Sequence, residues 1–223
     1  METDGINNAI TYPLPQPKVL RIISKIISYV FHPLFIPVYV TAYLIYVHPY
    51  LFAAYDDKQK FLRLLSVFVI TVFFPAITVF LLWRLKFAET IYLNTQKERI
   101  IPFVASIIYF FWAFWVARNL EGTPSPMVFF FLGVFLSASA ALMANNYFKI
   151  SLHGLGVGGA VAFMILLGTL TPEPMGIVIS ITTIIAGLVC TARLIVSDHH
   201  PMEVYSGVII AVLTQFIAFW VIM

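Results

Sequence analysis

The sequence predicts an all-α protein, a polytopic bundle of six to seven transmembrane helices, and three observations carry that prediction. Of its 223 residues, 61% are hydrophobic and only 10% charged, with a mean hydropathy of +0.95. A soluble domain is about 25% charged. Seven apolar runs approach or reach the roughly 20 residues that a helix needs to cross the hydrocarbon core. The charges fall almost entirely between those runs. No strand-period pattern suggests a barrel, and the formal charge of +3 is too small to argue for nucleic acid as a partner.

Residues 1–17 are polar and carry Pro13, Pro15 and Pro17. They lack the basic start and apolar centre of a signal peptide. The expectation is a flexible tail, with residues 18–223 forming a single helical membrane domain. The first run is Ile26 to Val47, preceded by Lys18, Arg21 and Lys25. His32, Pro33 and Pro37 predict a kink or break, which is tolerated in a span where neighbours satisfy the freed carbonyls. His32 itself reads as a hydrogen-bonded residue beside that kink. A loop from His48 to Arg63 holds Asp56, Asp57, Lys58 and Lys60. The second run, Leu64 to Trp83, is uncharged, with a kink expected at Pro75. The polar connection Arg84 to Arg99 suits an amphipathic helix on the membrane surface.

The third run, Ile100 to Ala117, is rich in aromatics that suit lipid contact and interfacial anchoring. After the turn Arg118 to Pro124 comes the fourth, Met127 to about Ala144, with small residues from Ser137 to Ala141 for close packing. The fifth, Leu155 to Leu170, opens with Gly154, Gly156, Gly158 and Gly159. These glycines fit either close helix contact or backbone approaching a ligand. No strand precedes them, so no phosphate loop is formed. The sixth is Met175 to Ala192 and the seventh Val204 to Met223. The one cysteine, Cys190, sits in an apolar run and reads as a small core residue.

The polar cluster between the last two runs is the candidate site, because ionisable groups are expensive at membrane depth. If every run spans once, Arg84–Arg99, Asn145–His153 and Arg193–Glu203 share one membrane face. Topology then gathers Lys97, Arg99, Lys149, His153, Arg193, His199, His200 and Glu203 at one end of the bundle. Separated histidines, a carboxylate and fixed cations near lipid suit phosphoryl transfer. Arginine and lysine bind phosphate oxygens and offset transition-state charge. One histidine attacks phosphorus and another protonates the leaving oxygen. A carboxylate one helical turn on orients the nucleophile. His199 and Glu203 meet that spacing if the last helix begins near Ser197 with Pro201 in its first turn.

The spacing Arg193-x5-His199-x3-Glu203 resembles the third signature of the type 2 phosphatidic acid phosphatase (PAP2) superfamily: Ser-Arg, five residues, His, three residues, Asp. Ser151-Leu152-His153-Gly154 is similar to the second signature, Pro-Ser-Gly-His. Against the first, Lys-x6-Arg-Pro, alignment on Pro102 puts Asn94 and Ile101 in the cation slots. Thr191-Ala192 precedes Arg193 where the family has serine, and Glu203 stands for aspartate. The resemblance covers about residues 94–223. It implies that His199 forms a phosphohistidine, oriented by Glu203. It further implies that Arg193 and Ser151 bind phosphate and that His153 is the general acid. Lys97 and Arg99 join them on chemical grounds, as cations in the region of the first signature.

The resemblance also implies a multi-pass protein of a bacterial cytoplasmic membrane with no cofactor and no metal. Its substrate would be a lipid phosphate such as phosphatidic acid, phosphatidylglycerol phosphate or a polyprenyl pyrophosphate. Three alternatives stand beside this reading. The first is a relative that binds lipid phosphate without hydrolysing it. The second is an ion or metal site of Asp198, His199, His200 and Glu203 in a transporter. The third is a structural membrane subunit. Orientation stays open: of thirteen Lys and Arg, nine lie on the face of the cluster, which the positive-inside rule would place in the cytoplasm. The resemblance favours the opposite side.

Overall fold

The computed structural model describes residues 16–87, 96–196 and 200–223, with the backbone alone at 96 and 97. Seven helices in it are long and apolar enough to cross a membrane, and the described residues contain no strand. The chain is an all-helical, multi-pass bundle.

The helices outrun the apolar runs. The first two spanning units run from Lys18 to Val47 and from Asp57 to Arg84, 30 and 28 residues. A charged turn at a helix end lies in the headgroup region, where it stays hydrated and the helix continues at little cost. The Asp57 start corrects the expected loop from His48 to Arg63. Asp56 is an N-cap, accepting from the Gln59 N–H at 2.7 Å, while Gln59 Oε1 accepts from the Asp56 N–H at 3.1 Å. That reciprocal capping box starts the helix seven residues before the apolar run.

The first unit is broken, as its prolines predict. Helix α1 (Lys18–Val30) ends before a short 3₁₀ turn at Pro33–Phe35, and α2 (Ile36–Ala42) continues into a π-helical turn, Tyr43–Val47. Carbonyls in the last turn of α1 have no helical partner. The Tyr39 hydroxyl donates to the Val30 carbonyl at 2.7 Å, and His32 Nδ1 accepts from the Leu34 N–H at 3.4 Å. The second unit comprises α3 (Asp57–Phe68), a π-helical turn at Val69–Phe73, and α4 (Phe74–Arg84). Pro75 brings no N–H to the helical ladder, and the wider turn sits just before it. Of the connection Arg84–Arg99, where a surface helix was expected, Arg84 ends α4 and residues 96–99 open the next spanning helix, while residues 88–95 lie outside the described residues.

Helices α5 (Gln96–Asn119), α6 (Ser125–Asn145), α7 (Leu152–Leu170), α8 (Gly176–Val196) and α9 (Pro201–Ile222) complete the bundle. Helices α6, α7 and α9 form its centre, α5 packs on α6, and α8 joins α7 to α1. Phe129, Phe130 and Phe163 are fully buried there; the Phe163 ring lies 5.1 Å from Phe129 and 4.8 Å from Phe130. Aromatic pairs at such distances add to the stabilisation from buried area. Two of the α7 glycines, Gly154 and Gly158, serve helix contact. A Cβ on Gly154 would stand 2.5 Å from the Val204 carbonyl oxygen, and one on Gly158 2.8 Å from Val208 Cα. On α9, a Cβ on Gly207 would meet the Ser151 carbonyl oxygen at 2.6 Å. Helices α7 and α9 therefore approach to backbone contact, which fixes the residues at the start of α7 against the start of α9.

Candidate functional site

The start of α5, the start of α7, the end of α8 and the break after α1 meet around one cavity of about 550 Å³. Arg99, His153 and Arg193 line it. Three residues that sequence topology assigned to one end of the bundle thus come together, from three helices. Lys25 and His32 also line it, and no acidic side chain does among the described residues. The rest of the wall is largely apolar, including Pro75, Val79, Phe103 and Val196. A concave site with convergent cations on apolar walls suits an amphiphilic anion.

His153 is held by backbone. Its Nε2 lies 3.0 Å from the Ser28 carbonyl oxygen. A carbonyl only accepts, so Nε2 carries a proton and donates. The acceptor belongs to the last turn of α1, whose carbonyls the break releases. The break therefore fixes the ring orientation of His153. The His32 ring stands edge to face with His153, centroids 5.6 Å apart. Because Nδ1 of His32 accepts from Leu34, the proton of its neutral ring is on Nε2. Arg193 acts electrostatically on His32, and Glu203 on Arg99.

Ser151 and Glu203 stand beside the cavity without lining it. Ser151 is the fully buried N-cap of α7, its hydroxyl accepting from the Gly154 N–H at 3.4 Å. It is not part of the cavity wall. Glu203 is the third residue of α9, and its carboxylate accepts from the His200 N–H at 3.2 Å. His199 lies outside the described residues, and for Lys97 only the backbone is described.

The start of the last helix is a correction. It begins at Pro201, with His200 as an extended N-cap at φ −75° and ψ 154°, not near Ser197. Proline favours the first helical position and drives its predecessor out of helical conformation. The helix that carries Glu203 therefore begins two positions after His199 in the sequence.

Lys25, Ser28, Tyr29 and His32 all line the cavity and were not among the expected site residues. The spacing of Lys25, Ser28 and Tyr29 is one face of a helix, and the fold of the break carries His32 onto it. Among the described residues no three of His, Cys, Asp and Glu gather to hold a metal ion; Asp198 and His199 of the alternative metal site lie outside them. No family model, no curated protein and no solved structure matches this chain.

Proposed function

We propose that this chain is a lipid phosphate or pyrophosphate phosphatase of a bacterial cytoplasmic membrane. The observation that carries the reading is the convergence of Arg99, Arg193, Lys25 and His153 on one cavity with apolar walls. Charge-assisted donors recognise phosphate oxygens, while the apolar walls suit the glycerol or prenyl part. In the proposed step, the His199 imidazole attacks phosphorus and the bond to the lipid oxygen breaks. That oxygen takes a proton from Nδ1 of the His153 imidazolium, whose Nε2–H stays on the Ser28 carbonyl. Water then attacks the phosphohistidine, giving its proton back to His153 and freeing His199 and inorganic phosphate. Arg99 and Arg193 offset the charge that grows on the equatorial oxygens.

A second reading, binding of a lipid phosphate without turnover, draws support from α9 and α7. The Glu203 carboxylate caps its own helix, and Ser151 is engaged as a cap. The decisive experiment is phosphate release by purified wild type, His199→Ala and His153→Ala. The substrates are phosphatidic acid, phosphatidylglycerol phosphate and a polyprenyl pyrophosphate. Equal nonzero turnover in all three proteins overturns the mechanism. Binding without turnover by wild type favours the second reading.

A further inference from the structure

A second, smaller cavity of about 100 Å³ adjoins the basic one. Pro33, Leu34, Phe103, Ser106 and Leu152 wall both. Beyond them the small cavity runs inward among Phe130, Val134 and Ala138 of α6 and Gly156 and Gly159 of α7. No charged side chain lines it among the described residues. Two of its polar neighbours make hydrogen bonds within the protein, although Gln215 Oε1 is buried with no partner among the described residues. The Ser137 and Thr214 hydroxyls share a hydrogen bond of 2.5 Å, and Gln215 Nε2 donates to the Phe130 carbonyl at 3.3 Å. Ala138, Gly156, Gly159 and Ala160 contribute the small part of a wall otherwise made of larger apolar side chains. A Cβ on Gly159 would meet only ordinary contacts, at 3.7 Å and beyond.

We propose that this chamber receives hydrocarbon from the amphiphile whose phosphate occupies the basic cavity. The ligand would thus be a lipid phosphate with part of its chain drawn into the bundle, between α6 and α7, instead of lying wholly in the bilayer. The inference rests on the phosphate reading of the basic cavity, but not on hydrolysis. Its grounds are the shared wall, the charge at one end and the apolar lining at the other. A dry apolar cavity of about 150 Å³ is enough to bind benzene, so this chamber takes a short stretch of chain.

The test uses purified protein, inorganic phosphate and a series of straight-chain monoalkyl phosphates. Affinity should rise about fourfold for each methylene that enters the chamber, and then level off. Ala138→Phe and the milder Ala138→Met fill the chamber. Each should leave inorganic phosphate binding unchanged, which reports a folded basic cavity, and should move the plateau to shorter chains. A monoalkyl phosphate with a terminal diazirine should label Phe130, Val134 or Ala138. Binding and labelling without phosphate release leave the proposal standing while the phosphatase reading fails. Phosphate binding with equal affinity at every chain length, or an unmoved plateau in both variants, overturns the chamber alone. Labelling only on lipid-facing residues does the same. Failure of wild type to bind any phosphate probe overturns both.

Discussion

The rings of His32 and His153 face each other edge to face, centroids 5.6 Å apart and planes at 80°, one on the broken first span and one at the start of α7. Each is oriented by backbone: His32 by the Leu34 N–H, His153 by the Ser28 carbonyl. The same break that the prolines impose on the first span therefore sets both histidines.

The two ring nitrogens of His32 can be tested apart. Asn keeps an acceptor near the Nδ1 position, and Gln keeps an N–H near that of Nε2. If the Nε2–H serves the bound anion, His32→Gln keeps phosphate affinity within about threefold. His32→Asn then loses about tenfold or more, the scale of one hydrogen bond to a charged group. Titration with a monoalkyl phosphate reads both. Near-normal binding by Asn and loss by Gln confine His32 to shaping the break.

Arg193 and Arg99 should not tolerate lysine. A guanidinium presents a planar fork to phosphate, whereas an ammonium is a point charge. Arg193→Lys is expected to lower turnover of lipid phosphate about 100-fold, the scale of one lost transition-state donor. Thermal unfolding in the same detergent should move little. Wild-type turnover by Arg193→Lys and Arg99→Lys would remove both from the reaction.

The contact between α7 and α9 predicts a stability effect. Gly207→Ala places a methyl against the Ser151 carbonyl oxygen and the Leu155 nitrogen, both backbone atoms that cannot rotate away. Overpacking of this kind costs about 1–3 kcal/mol. Gly176→Ala, with nothing within 4 Å of the new carbon, should cost nothing or stabilise its helix. Melting of both variants beside wild type checks the difference.

At the opposite end of the bundle, His48 gives a pH signature. It is buried, Tyr50 N–H donates to its Nδ1 at 3.4 Å, and its ring stands 6.3 Å from that of Tyr43. Burial pushes it below the ordinary histidine range, against a smaller opposing pull from Glu173. A lowered pKa in the folded state means the unfolded chain binds the proton more readily. The contribution is present above the unfolded value of about 6.5 and is lost as pH falls below it. The melting temperature of wild type should therefore drop more between pH 7.5 and 5.5 than that of His48→Gln. Identical slopes would rule His48 out.

The number and order of the spans were legible because membrane insertion rewards long apolar runs, and those are local properties. Helix ends were less so. Asp56 and Gln59 form a cap that hydropathy ignores, and Pro201 sets the start of α9 by backbone sterics, one residue past His200. Arg99, His153 and Arg193 were legible as a group from alternation of membrane faces alone. Lys25 and His32 were not, because α1 ends at Val30 and only the fold of the break carries His32 onto the face of Lys25. The adjoining chamber was not legible at all. It depends on where Phe130, Ala138, Gly156 and Gly159 meet across helices, which no single segment specifies.

The break after Val30 also has a consequence for how the protein is made. Helix α1 packs on α8, the sixth of the seven spanning helices to leave the ribosome. The Ser28 carbonyl waits for His153 on α7. Synthesis thus delivers Lys25 and His32 first and their partners last. Helix α1 therefore meets its main partner late, although α2 can pack on α3 early, and the wall that α1 gives the basic cavity forms as one of the final acts of assembly.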